Sequence, residues 1–255
     1  MLKIEDTQKV KPLFGDWQET LIWSCIQKVM GNVYADREEL PRSAVAMLGD
    51  FCFLAGKPDR ETAAYKPADC SRDFRIVVPQ TEEWGALIAD IYGDRARKVI
   101  RYAFRKDNRF DTALLQKAAG SLPEDYTMKL MDEELFVHCR AHDWSRDFVS
   151  LYGNYEQYRN LGIGVVVLKG GEPVAGASSY ARYLDGIEIE IDTRQDQRRK
   201  GLAYACGAKL ILECLERGLY PSWDAQNKWS AALAQKLGYI FDHEYTAYEI
   251  YGYLT

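Results

Sequence analysis

The chain is 255 residues long, with 47% hydrophobic and 13% aromatic residues, enough to pack one large domain or two small ones. Its formal net charge of −5, with no basic stripe, excludes nucleic acid as the main partner, because phosphate neutralisation needs a basic excess. Met1–Asp6 lacks the apolar core of a signal peptide and no apolar run approaches the ~20 residues of a membrane-spanning helix, so a cytoplasmic protein is expected. Cys25, Cys52, Cys70, Cys139, Cys206 and Cys214 are scattered without a Cys-x-x-Cys pair and read as reduced thiols rather than a disulfide framework or a zinc site.

In chain order, Trp17, Leu21, Cys25 and Val29 recur every four residues before Gly31, which predicts an amphipathic helix over 16–30. Strands are expected at 45–54 and 74–78, and Thr81 before Glu82-Glu83-Trp84 marks the start of a helix running to about residue 92. Further strands at 98–104 and 126–131 flank a helix over 111–119 that stops at Gly120. Residues 1–125 therefore read as an α/β domain in their own right, with the element order of a degenerate second copy of the fold that follows. The boundary falls in the turn Gly120-Ser121-Leu122-Pro123-Glu124-Asp125, which has no linker composition.

Residues 126–255 are patterned more sharply. Helical segments over 132–139 and 145–160 lead to a strand at 164–169, a turn at Lys169-Gly170-Gly171-Glu172 and a return strand over 173–183. After Leu184-Asp185-Gly186 comes a third strand over 187–193. Ala203, Cys206, Gly207, Leu210, Ile211, Cys214 and Leu215 then line one face of a helix stopped by Gly218. Ser222-Trp223-Asp224 is expected to be a short strand parallel to 187–193, since strand–helix–strand crossovers are right-handed, and 239–253 supplies a final pair of strands. His138 and His142 sit one helical turn apart with no third ligand in view, which fits a structural role better than a metal site.

The junction Arg198-Arg199-Lys200-Gly201-Leu202-Ala203 has the composition of an anion cradle. A strand turning into a helix through basic residues and a glycine aims backbone N–H groups and the helix dipole at one spot, and small Ala203 keeps the first turn open. The alternative is a solvated helix start. The pattern Arg-x-x-Gly-x-Ala resembles the acyl-CoA diphosphate loop of the GCN5-related N-acetyltransferases (GNAT). Downstream, Trp223-Asp224-Ala225-Gln226-Asn227-Lys228-Trp229-Ser230 and Leu233-Ala234-Gln235-Lys236-Leu237-Gly238-Tyr239 resemble that family's second motif. Glu188-Ile189-Glu190-Ile191-Asp192-Thr193, with Ser222-Trp223-Asp224 and Ser230, is similar to the zwittermicin-resistance-type subgroup. The resemblance covers roughly residues 132–255. It implies a GNAT-like mixed sheet in an α/β (α+β) protein, with acetyl-CoA as acyl-donor cosubstrate. It also implies that backbone N–H groups of Arg199, Lys200, Gly201, Leu202 and Ala203 hold the diphosphate while Arg198 adds charge. The edge formed by Ile191, Asp192 and Thr193 would run along the pantetheine, with Asn227 and Ser230 beside the arm; for Asn227 a helix N-cap is the alternative role.

Acetyl transfer to an amine needs a base for the ammonium proton and a donor for the departing thiolate. Alternation along 187–193 puts the isoleucines on one face and Glu188, Glu190 and Asp192 on the other. Glu190 is the first candidate base, Glu188 the second and Asp224 the third, a solvated strand face being the alternative. Many relatives place a tyrosine acid where this chain has Ala234, so Ser230, one turn earlier, or Tyr245 would stand in. The expected function is an acetyl-CoA-dependent N-acetyltransferase acting on a small-molecule amine by direct attack in a ternary complex. No nucleic-acid or membrane partner is expected, and homodimerisation is left open. The rival is a non-catalytic acyl-CoA-binding or sensory protein, which the residue at 234 supports.

Overall fold

The computed structural model describes residues 1–254. In chain order its first elements are β1 (Leu2–Lys3), α1 (Lys11–Phe14), α2 (Thr20–Ile26), β2 (Asn32–Ala35), β3 (Ser43–Leu48), β4 (Phe51–Gly56), α3 (Arg60–Ala63), β5 (Phe74–Pro79), α4 (Glu82–Tyr92) and β6 (Ala96–Phe104). They are followed by α5 (Thr112–Ala119), β7 (Tyr126–Leu130), α6 (Glu133–Ala141), α7 (Tyr155–Leu161), β8 (Gly164–Lys169), β9 (Glu172–Tyr183) and β10 (Gly186–Thr193). The last are α8 (Leu202–Glu216), β11 (Tyr220–Ser222), β12 (Asp224–Ala225), α9 (Lys228–Lys236) and β13 (Phe241–Tyr251). Among the described residues no helix is long and apolar enough to cross a membrane.

Contacts divide the chain into two units, residues 1–101 with the C-terminal segment from Glu244, and residues 102–243. Strands β6 and β13 run across this division, and the 120–125 turn lies inside the second unit, between α5 and β7. In the first unit the strands follow the order β1-β2-β3-β4-β5-β13-β6. Strands β1 to β4 are antiparallel and β4 pairs parallel with β5. Helix α4 sends Trp84, Ile88 and Tyr92 into a core shared with Val45, Leu54, Val77 and Tyr248.

The second unit has a sheet of order β11-β10-β9-β8-β7, antiparallel except for the β10–β11 pair. One face packs against α5 and α8 through Leu115, Leu202, Cys206, Leu210, Val165 and Ile187. The opposite face carries the turn at Phe148, whose ring lies where a Cβ on Gly176 would sit, and Tyr152 and Tyr158, whose hydroxyls bond Ser179 and Ser178 at 2.8 and 2.7 Å. Gly207 lets α8 approach Leu237, since an added Cβ would lie 2.8 Å from its methyl. Both units thus run through one order of elements: a strand, short helices, three antiparallel strands, a crossover, a parallel strand and a helix. The first unit is the degenerate copy; its crossover helix α3 has four residues where α8 has fifteen.

Five expected boundaries differ. The parallel strand expected at 222–224 is Tyr220–Ser222, because Asp224 and Ala225 pair antiparallel with β6. The 16–30 helix is only Thr20–Ile26, because the Ser24 hydroxyl bonds both Met30 N and Met30 O and draws the chain out of the helix, with Lys28 at φ +60. The 45–54 strand is the hairpin β3–β4, turned at Gly49-Asp50 with Gly49 at φ +60. The 145–160 helix is a 3-10 turn at Arg146–Phe148 and a separate α7 capped by Asn154. The final pair of strands is one strand, β13. All six cysteines are free thiols. His138 and His142 stack at 4.1 Å, and among the described residues no group of three metal-ligating side chains occurs.

Gly186 opens β10 where an added Cβ would meet the Tyr220 carbonyl oxygen at 2.2 Å, a backbone atom that cannot swing aside. Gly186→Ala is therefore expected to destabilise the second unit by about 1–3 kcal/mol, the usual range for overpacking, read as a lower denaturation midpoint.

Candidate active site

The centre of the second unit is a strand pair that stops pairing. β10 and β11 form three parallel rungs, Gly186–Tyr220, Ile187–Pro221 and Glu188–Ser222, while β10 stays paired with β9 through Thr193. Beyond Ser222 the chain turns away, and Asp224 and Ala225 pair instead with Ala103 and Tyr102. A bulge marks the same point. The β9 partners jump from Ala181 to Ser179 between Glu188 and Ile189, leaving Tyr180 as the extra residue and bending the ladder. Among the described residues no strand pairs with the other edge of 189–193, which suits an added extended chain bearing amides.

β10 ends in a loop held by its own charges. Asp192 Oδ1 accepts from Thr193 N at 2.6 Å and from Arg198 Nη2 at 3.3 Å, and Arg198 Nε donates to Thr193 O at 3.0 Å. Lys200 Nζ donates to Gln197 Oε1 at 2.7 Å and to Tyr126 Oη at 3.3 Å, so its ammonium braces the loop against β7. Arg199 and Gly201 take left-handed conformations, φ +63 and +79, the backbone geometry from which anion-binding nests of N–H groups are built. Gly201 is the N-cap of α8 and provides no side-chain bond to the first turn; a Cβ placed on it meets nothing within 4 Å. Thr193 is only 7% exposed, and its Oγ1 is buried without a hydrogen-bond partner among the described residues.

The carboxylates separate by environment. Glu188, 7% exposed, sits at the last paired rung. Burial, with the charge of Glu188 among the further causes, holds the Tyr183 and Tyr239 hydroxyls above their ordinary range and pushes Tyr220 up to about 12. The phenols around Glu188 are therefore protonated, and Tyr183 Oη lies 3.0 Å from Ser222 Oγ. Glu190, half-buried, lies just past the divergence, opposite Ser178. Asp224, also half-buried, has left with β12. Asn227 Oδ1 caps α9 by accepting from Trp229 N and Ser230 N, each at 3.0 Å, and the amide NH2 takes no part in the cap. Ser230 Oγ accepts from Trp223 Nε1 at 3.1 Å and keeps its proton to donate. Ala234 is fully buried in the core. Tyr245 belongs to the other unit, where its hydroxyl lies 3.3 Å from Arg101 Nε.

The first unit closes the corresponding features. β4 and β5 pair over four rungs to Leu54–Pro79, after which Gln80 N bonds Leu54 O and Gln80 Oε1 accepts from Gly56 N. Its crossover begins with a carboxylate, Asp59, capping Thr62 N at 2.8 Å, where the second unit has the bare Gly201. That strand pair thus runs one rung longer, and its helix start carries a carboxylate, which disfavours an anion.

A model of the family described as GNAT acetyltransferase matches residues 11–248. The chain belongs to the GNAT acetyltransferase family. The GCN5-related N-acetyltransferase-like protein from Streptococcus suis 89/1591 shares 49% identity, covering 96% of this chain and 98% of that one, with a TM-score of 0.92. The uncharacterized N-acetyltransferase YdfB of Bacillus subtilis is 28% identical over 94% of each chain. A tandem GNAT protein from the clavulanic acid biosynthesis pathway, at 9% identity and TM-score 0.53, shares the fold over 87% of this chain and 82% of its own. GNAT proteins use acetyl-CoA. The residues here fit it: open space over Gly201, an orphaned hydroxyl at Thr193 and an unpaired strand edge are what a diphosphate followed by an amide chain requires.

Sequence reasoning did not anticipate the Thr193 hydroxyl, the Arg198–Asp192 brace or the inward turn of Lys200. A threonine ending an otherwise isoleucine face was the available signal for the first; the others depend on loop conformation.

Two outcomes follow for calorimetry. Gly201→Asp should abolish acetyl-CoA binding while circular dichroism stays native, because a carboxylate at the bare start of α8 repels a diphosphate. The wild-type chain should bind one acetyl-CoA rather than two, because the copy in the first unit is closed.

Proposed function

We propose that this protein is an acetyl-CoA-dependent N-acetyltransferase that acetylates the amine of a small molecule by direct attack in a ternary complex. The observation that carries this reading is the coincidence, at the end of one strand, of an open edge and an uncapped helix start, both closed in the other unit. Acetyl-CoA, when bound, supplies the acyl thioester. The chain's part is to hold and to move protons. Backbone N–H groups from Arg199 through Ala203 hold the diphosphate, Thr193 Oγ1 and the edge of 191–193 bond the pantetheine arm, and the Asn227 NH2 group fixes it from α9. Asp192 and Arg198 secure the strand end rather than contact the amine.

Glu190 takes the ammonium proton, directly or through one water, so that the nitrogen lone pair forms the amide bond as the thioester bond breaks. Its place beyond the divergence sets it apart from Glu188, whose burial among phenols suits a role in orienting Ser222. The Ser230 hydroxyl, on the first turn of α9, relays a proton: it gives its own to the departing thiolate and takes up the second proton that the nitrogen loses on becoming an amide, ending as a hydroxyl. The likeness of 188–193 and 222–224 to zwittermicin-resistance-type enzymes supports an aminated small molecule as acceptor, used in the cytoplasm and without nucleic acid or membrane as partner. Ala234 in place of the usual tyrosine favours a second reading, an acyl-CoA-binding sensor.

Activity separates the two. Across an amine panel, Glu190→Gln should keep the acetyl-CoA affinity but lower turnover by ~10²–10⁴-fold, the contribution of a positioned base. The loss should shrink as pH rises and the amine deprotonates in solution. Saturating acetyl-CoA at about a hundredfold excess over Kd should stabilise the fold by about 2.7 kcal/mol in thermal melts. Full activity in Glu190→Gln at neutral pH would move the base elsewhere, and stabilisation without turnover of any amine would favour the sensor.

A further inference from the structure

We propose that Cys70 is a modification site, a thiol that hydroperoxides oxidise to a sulfenic acid, which the Arg75 guanidinium then holds through two N–H groups. The site lies in the first unit and does not depend on the acyl-CoA reading. Arg75, on β5, is 7% exposed, and a guanidinium keeps its charge wherever it is buried. Such a cation ordinarily pairs with a carboxylate. Asp50, the acid on the turn between β3 and β4, pairs with Arg72 at 2.8 Å instead. The contacts of Arg75 are of another kind: Nη1 donates to Gly49 O, Nη2 donates to Cys70 Sγ at 3.0 Å, and the Tyr253 ring centre lies 5.5 Å from the guanidinium carbon.

One donor remains. Arg75 Nε is buried without a hydrogen-bond partner among the described residues. In a guanidinium the Nε–H and Nη2–H bonds point the same way and form a fork that takes two acceptor atoms side by side. Arg194 uses this fork on both carboxylate oxygens of Asp196, at 2.7 and 3.0 Å. At Arg75 the same fork meets one acceptor, Cys70 Sγ, and an oxygen bonded to that sulfur supplies the second. Cys70 is also the thiol an oxidant can reach. It is half-buried, whereas the other five cysteines are buried, and burial pushes Cys25, Cys52, Cys206 and Cys214 up to about 12 and Cys139 up to about 11. In the reaction the sulfur attacks one peroxide oxygen, the S–O bond forming as the O–O bond breaks. The other oxygen leaves with the thiol proton, as water when the oxidant is hydrogen peroxide, and the two electrons lost by sulfur reduce the peroxide. The N–H group of Arg75 Nη2 stabilises the negative charge on sulfur during the attack.

The test is timed exposure of the intact protein to hydrogen peroxide, with sulfenic acid trapped by dimedone and located by peptide mass spectrometry. Cys70 should gain the adduct about tenfold faster than any other cysteine, and Cys70→Ser should gain none over the same interval. Arg75→Met should gain it about tenfold more slowly than wild type, with circular dichroism confirming the fold. Two measurements on the wild-type chain hold whether or not that variant folds: the ranking of the six thiols, and the melting temperature of the peroxide-treated protein before trapping. The latter should be no lower than that of the reduced protein, because Nε–H has gained an acceptor. Another cysteine reacting first, the wild-type rate in a folded Arg75→Met, or a lower melting temperature on oxidation would each overturn the assignment.

Discussion

A parallel strand pair that parts after three rungs is the constraint on which the rest of this protein depends. Backbone N–H and C=O groups buried at a sheet edge must find partners, and an edge that the chain itself does not cover is left to water or to a ligand with amides. Everything around the divergence keeps it from zipping shut. Asp224 and Ala225 are drawn off to pair with Ala103 and Tyr102, the bulge at Tyr180 bends β9, and Gly207 brings α8 close over Ile191 and Trp223. The first unit shows the alternative outcome for one topology. There the ladder continues to Leu54–Pro79, and Gln80 bonds both Leu54 O and Gly56 N. The two copies differ less in fold than in whether the chain completes its own hydrogen bonds.

Charge is partitioned around that edge with similar economy. The basic trio does not act as one positive patch: Arg198 ties back to Asp192 and the strand end, Lys200 reaches across to Gln197 and Tyr126, and Arg199 remains exposed in the left-handed conformation that shapes the loop. Among the described residues only Arg198 of the three is offset by a carboxylate, so the charges of Arg199 and Lys200 add to the oriented N–H groups and the dipole of α8. The acidic row divides likewise. Glu188 is enclosed by phenols, Asp192 is spent on the loop, and Glu190 lies where the strands have parted.

Much of this was legible in the sequence where local rules and long-range packing agree. The meander 164–193, the amphipathic α8 and the glycine that opens α8 all have strong periodic or turn signals, and each appears in the structure, whereas the parallel return expected at 222–224 lies at 220–222. The expectations that differed depended on tertiary hydrogen bonds. Ser24 ending α2 through Met30 is invisible to a four-residue periodicity, and Gly49-Asp50 is a turn signal that an apolar run on either side conceals. The degenerate copy could be suspected from element order but not its closed state, because zipping of β4 on β5 is a matter of register. The carboxylate row could be read from strand alternation as residue types on one face; which of them is buried and which lies past the last paired rung follows from where β11 departs.

The central claim is that the edge of β10 past Glu188, and not its counterpart in β4, is the part of the chain that receives acetyl-CoA. Amide hydrogen exchange with and without acetyl-CoA reads this residue by residue. The account predicts added protection at 189–193 and 199–203, with 51–56 unchanged. Protection absent from 189–193, or appearing at 51–56, would contradict it.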